Sequence, residues 1–278
     1  MNRGEVDNEF RAGIEGLLAA IERQIEPGAI NPYAGSGDPA FHEHDTRVFF
    51  FDRLLKLLGW ELGEGGSIAQ EARIKADTTK FVDYVGVNAD TRAPVLILEA
   101  KAWGKPLISS NRKRSKLSRS DLIVEAINHI NTGGEKQGSP VTGEWHNYLS
   151  QLAGYVRKFK EVHQHAVPCA VLSSGDWLLV FKTPVNTFCD ASVNDQQFLL
   201  FEYKDYVSKA EIIFNLMARI KLADTAPIRI RSAQLGNYVS AENFQATYHA
   251  QLVSVCPKTD DLSKSLSDHF FKNLKSII

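Results

Sequence analysis

The apolar positions follow two periods that divide the chain into helices and strands. From residue 7 to residue 26, Ile14, Leu17, Leu18, Ile21 and Ile25 share one helical face, and Glu26-Pro27-Gly28 ends the run. Asp38 before Pro39 reads as an N-cap with a first-turn proline, so a second helix is expected to reach Leu58 and stop at Gly59. Its buried face would carry Phe50, Phe51, Leu54, Leu55 and Leu58. Residues 68–74 read as a short strand, and 80–87 and 94–103 as two more, joined by the turn signal Asn88–Pro94. Helices are expected at about 121–130 and 144–160, the latter with Leu149, Leu152, Ala153, Val156 and Phe159 on its apolar side. Two strands then flank Ser173-Ser174-Gly175-Asp176, and "QQFLLFEY" reads as another. Residues 204–223 read as one amphipathic helix and the last 45 residues as helical. Strands mixed with helices make this an α/β chain with extra helices at both ends. Its expected divisions are 1–38 (helix and loop), 39–204 (core, with a polar insertion at about 104–147) and 205–278 (helical extension).

Composition narrows the class only a little. A hydrophobic content of 44% supports a packed core, and a net charge of -1 leaves any basic surface local. No apolar run approaches the ~18 residues of a membrane span, and "MNRGEVDNEF" lacks the apolar stretch of a secretory signal. The three cysteines, Cys169, Cys189 and Cys256, are too widely spaced for a metal pattern and too few for a disulfide framework, so a cytoplasmic location without a membrane partner is expected.

Charge inside the apolar pattern changes the picture. Asp83, Glu99 and Lys101 fall in or beside the strands at 80–87 and 94–103. A hairpin centred on Thr91 pairs residues whose numbers sum to 182, which sets Asp83 opposite Glu99. Opposed Cβ atoms lie roughly 4.5–5.5 Å apart, and alternation puts Lys101 on the same face. Two facing carboxylates repel unless one takes a proton or both hold a cation. Mg2+ prefers oxygen ligands at about 2.0–2.1 Å and suits one or two carboxylates with substrate phosphates. Such a site fits phosphodiester hydrolysis. Lys101 has three open roles: orienting water, accepting its proton, or stabilising the crowded phosphorus. The plainer alternative is a salt-bridged trio at strand ends.

Asp83 followed by Glu99-Ala100-Lys101 resembles the PD-(D/E)xK nuclease signature. More narrowly, four ordered segments resemble the N-terminal nuclease domain of the motor subunit of type I restriction enzymes. They are "EHDTRVFFFDRLLKLLGW", "VDYVG" with "LILEAKAW", "QLAGYV" and "VPCAVLSSGDWLLVF", spanning about residues 40–182. The resemblance implies a restriction-endonuclease-like fold, a central mixed sheet flanked by helices. It implies Mg2+-dependent cleavage of DNA (Mn2+ substituting) in restriction or antiviral defence, with other subunits of such a complex as partners. By position, Asp83, Glu99 and the Ala100 carbonyl would hold the metal and Lys101 would be the catalytic lysine. Glu43 would stand near the metal or its waters, with Asp45 as competitor. Gln151 and Tyr155, four apart on one helical face, would position DNA and the active site, with Lys158 continuing that face. Two features depart from the pattern. The stretch 104–147 is long, and the turn reads Ser-Ser-Gly-Asp where the related proteins often have Thr-Asn-Gly. No G-x-x-x-x-G-K-[ST] phosphate loop of a motor is present.

Between Lys105 and Ser120 the chain carries Arg112, Lys113, Arg114, Lys116 and Arg119 without an acid, a segment suited to phosphate contact or to plain solvation. The His42/His44 and His163/His165 pairs lack companions for a zinc set. Trp145 and Tyr148 suit base stacking or, more simply, packing. Three readings compete with a DNA endonuclease: a non-cleaving nucleic-acid-binding module, a nuclease for RNA or modified DNA, and an assembly domain licensed by a partner.

Overall fold

A computed structural model describes residues 3–25, 41–63, 65–74, 80–88, 90–111, 117–190 and 193–223. All of them belong to one compact unit, Met1–Ala226. Six strands form a single sheet in chain order: β1 (Ile68–Ile74), β2 (Lys80–Val87), β3 (Pro94–Ala100), β4 (Cys169–Ser173), β5 (Trp177–Phe181) and β6 (Phe198–Glu202). Only β3 and β4 run parallel, so the sheet is mixed. A parallel pair needs a long crossover. Here it carries α4 (Arg119–Asn131) and α5 (Gly143–Glu161).

Helices cover both faces. On one side α1 (Arg3–Ile25) and α7 (Ala210–Met217) join α3 (Asp52–Leu57) in a core with Phe10, Ile14, Phe51, Leu55, Tyr84, Leu96 and Leu98. On the other, α4 and α5 pack Ile123, Ile127, Leu152 and Val156 against Val85, Ile97, Ala170 and Leu179. β3 is buried at every position, as expected of a strand covered on both faces. The N-terminal helix and the helix after residue 205 pack into the same core as the sheet.

Three elements differ from the periodic expectation. The helix before Gly59 is compound: α2 (Glu43–Thr46), a π-helical turn at Arg47–Phe51, then α3. A π-turn admits one extra residue per turn and re-aims the side chains beside it. The stretch 204–223 breaks into α7 and α8 (Arg219–Leu222), because Ala218 is extended (ψ 139°) where Trp60 Nε1 donates to the neighbouring Met217 carbonyl at 2.9 Å. An unexpected short helix, α6 (Pro184–Cys189), begins with proline at its first turn. The last 45 residues and the start assigned at Asp38 lie outside the described residues. No described helix is long and apolar enough to cross a membrane.

Candidate active site

The β2–β3 ladder has the register expected from a turn centred at Thr91: Tyr84 pairs Leu98, Val85 pairs Ile97 and Gly86 pairs Leu96. A bulge between Gly86 and Val87 shifts only the turn end. One step beyond Tyr84 and Leu98 stand Asp83 and Glu99. Asp83 Oδ2 accepts the Ala100 backbone N–H at 2.8 Å, which locks its carboxylate against β3. Lys101 Nζ donates to Glu99 Oε1 at 2.6 Å. The three groups converge at the C-terminal end of the buried strand.

Their electrostatics follow from that burial. The Glu99 side chain is 4% exposed and that of Lys101 is 9% exposed. Burial pushes the Glu99 carboxyl up to about 7; Lys101 opposes the shift, while Asp83 and Glu43 add to it. Asp83 is also raised, by burial first, against the Ala100 N–H and the Arg47 and Lys101 charges. Among the described residues, Glu99 Oε2 is buried without a hydrogen-bond partner. A buried carboxylate oxygen with no donor costs about 1–3 kcal/mol, more when charged, unless a proton or a cation satisfies it. That atom fits a cation ligand. No described group of three or more His, Cys, Asp and Glu side chains forms a metal cage. The carboxylates brought together here are those of Asp83 and Glu99.

Helix α5 supplies the wall. Gln151 Oε1 accepts from Lys101 Nζ at 3.3 Å, and Gln151 Nε2 donates to Tyr155 Oη at 2.7 Å. Tyr155 Oη in turn donates to the Phe81 carbonyl at 2.7 Å, two residues before Asp83. The spacing of four puts Gln151 and Tyr155 on one helical face and lets one chain of hydrogen bonds run from Glu99 back to β2. Lys158 lies on α5 and is partly buried.

The opening helix approaches from the other side. Glu43 is exposed, and its negative field reaches both Glu99 and the Tyr148 hydroxyl. Asp45 has a different job: its Oδ2 accepts the His42 backbone N–H at 3.0 Å at the start of α2. Thr46, fully buried, donates to the His42 carbonyl and accepts the Trp103 backbone N–H at 2.8 Å. This ties the helix to the segment that follows Lys101.

Several contributors escaped the sequence reading. Arg47 Nη1 lies 3.1 Å from Glu71 Oε1 and 3.5 Å from Asp83 Oδ1. Glu71 sits at φ 49°, the left-handed region that a non-glycine residue rarely adopts, at the step of β1 that faces Asp83 in the register with β2. The strained residue coincides with a change of face: Ile68 packs in the core of α1, whereas Ala72 and Ile74 join that of α5. Tyr148 places its ring 5.0 Å from Lys101 Nζ and donates to Glu144 Oε1 at 2.6 Å. Lys105 completes that pair with a 2.8 Å contact to Glu144. The sequence reading named Tyr148 only for stacking or packing, although its helical spacing from Gln151 (three residues) would have set it beside Lys101; nothing in the linear pattern pointed to Arg47 or Glu71. Trp145 is buried, its ring 4.7 Å from that of Trp177, so it is a packing residue. Arg112, Lys113, Arg114 and Lys116 lie outside the described residues. Comparison with protein-family models, with curated proteins and with solved structures gives no match.

Proposed function

We propose that this chain is a Mg2+-dependent DNA endonuclease of the restriction-endonuclease-like fold, acting in restriction or antiviral defence. One observation carries the reading. Glu99 and Lys101 are in contact at 2.6 Å beside Asp83, while the second oxygen of Glu99 is buried without a donor.

Asp83, Glu99 and the Ala100 carbonyl would hold the metal. When bound, Mg2+ polarises a phosphate and lowers the pKa of a coordinated water. The chain's own groups do the rest. Asp83 is held in place by the Ala100 N–H, so little reorganisation is needed on binding. Lys101 is held by Glu99, Gln151 and the Tyr148 ring. An ammonium fixed there stabilises negative charge developing on phosphorus. Gln151 and Tyr155 hold the lysine's direction, and Glu43 adds negative potential for a cation or its waters.

The test is cleavage of plasmid, linear duplex and single-stranded DNA beside RNA, in Mg2+ and Mn2+, with Lys101→Ala as control. Cleavage of DNA by the wild type and none by the variant supports the proposal. Equal rates for both end it. Cleavage confined to RNA, or appearing only with added partner subunits, transfers the same chemistry to a different biological role.

A further inference from the structure

Beyond the trio, a groove of about 630 Å³ opens along α5, with Phe81, Asn147, Ser150, Gln151 and Tyr155 among its lining residues. It shares Gln151 and Tyr155 with the candidate site. Phe81 comes from β2, two residues before Asp83, and is 60% exposed, an unusual state for a phenyl ring in a strand. Its main chain is fixed by the Tyr155 hydroxyl, so the ring stands on a rigid base.

Resting on the nuclease reading, we infer that this groove seats one unpaired base of a DNA strand next to the scissile phosphate, and that the substrate is single-stranded at that point. Four features carry this. The exposed ring offers a stacking face, which any base accepts. The Asn147 amide and Ser150 hydroxyl offer donors and acceptors to a base edge. Lys136, also on the lining, supplies positive charge for a neighbouring phosphate. His146, only 7% exposed, lines the groove too, and its Nδ1 has no partner among the described residues. A base inside a duplex keeps its faces stacked and its pairing edge occupied, so only an unpaired base can enter.

The experiment measures binding and leaves cleavage out. The full chain, in EDTA, is titrated into labelled single-stranded DNA of about twelve nucleotides, with one abasic position moved along the strand. For the wild type, one abasic position should weaken binding about tenfold, in line with the loss of a base–aromatic stack. In Phe81→Ala the intact strand should lose a similar factor, and the abasic profile should become flat. Because the ring is exposed, this variant should melt like the wild type. A second variant, Asn147→Ala, should reduce the preference among bases at the same position. A Phe81→Ala protein that binds as tightly as the wild type, or keeps its abasic profile, overturns the inference. A wild type that shows the profile and never cleaves in Mg2+ defeats the nuclease reading and leaves the groove assignment standing. Cleavage by a wild type without the profile does the reverse.

Discussion

The Gln151 side chain joins two groups of the candidate site: its carbonyl oxygen accepts from Lys101 Nζ at 3.3 Å while its amide nitrogen donates to Tyr155 Oη at 2.7 Å. Through Tyr155 and the Phe81 carbonyl, one residue on α5 thus ties the lysine that follows β3 to β2.

Lys101→Ala should reduce DNA cleavage by at least about 100- to 1,000-fold, the range seen when a single fixed charge-stabilising group is removed. The loss should fall on kcat with little change in DNA affinity. Breaking a buried ion pair costs on the order of 3–5 kcal/mol, and proton uptake by Glu99 offsets part of that. Circular dichroism should therefore report a folded protein of lower Tm.

Tyr155→Phe should act more mildly. It removes the hydrogen bond to the Phe81 carbonyl and the one from the Gln151 amide nitrogen. Each lost bond is worth about 1–3 kcal/mol when the group stays buried. Activity should fall about tenfold, and Gln151→Leu should cost little more when combined with it, because the two act in one chain. A double-mutant cycle on cleavage rate checks the coupling.

Glu99 gives the pH dependence its sign. Its folded pKa, about 7, lies above the ordinary 4.5. The metal-free folded state therefore binds the Glu99 proton more tightly than the unfolded chain does. This contribution to stability is full below pH 4.5 and is lost as pH rises to about 7. A cation needs the ionised form, so the Mg2+-induced rise in Tm should grow as pH increases through about 7. Glu99→Gln should abolish that growth in a thermal-melt series.

Arg47→Ala should tighten Mg2+ binding in the absence of DNA. The guanidinium lies 3.5 Å from Asp83 and opposes a second cation there. Removing one positive charge beside the half-buried Asp83 should improve affinity several-fold by Coulomb attraction. Calorimetric titration at pH 8 measures it, and weaker binding would contradict the prediction.

Gly86→Ala should destabilise the fold without touching the chemistry. An added Cβ would lie 2.7 Å from the Trp60 ring and 3.0 Å from Leu96. Overpacking of this kind costs about 1–3 kcal/mol. Urea denaturation should show the loss, with kcat preserved at low temperature.

The legible part of this molecule was local. The register of β2 and β3 followed from one turn signal, and Gln151 with Tyr155 followed from helical spacing. Both are short-range rules with fixed periods. What the sequence hid depends on contacts far apart in the chain. Arg47 meets Asp83 only after a π-turn and a sheet have formed, and Glu71 adopts a conformation that no residue preference predicts. The break at Ala218 belongs with the anchoring of Trp60 on Met217, residues 157 positions apart. The exposure of Phe81 could not be read from a strand pattern in which phenylalanine normally signals interior.

The Thr46 hydroxyl joins the opening helix to the segment that follows Lys101. Because it fastens the Trp103 amide while its own helix carries Glu43 and Arg47, the segments bearing the acids and the cation are riveted into a single body. On the proposed nuclease reading, a change of target can then proceed elsewhere in the chain while these groups stay in alignment. A change at Thr46 itself would loosen every one of those groups at once.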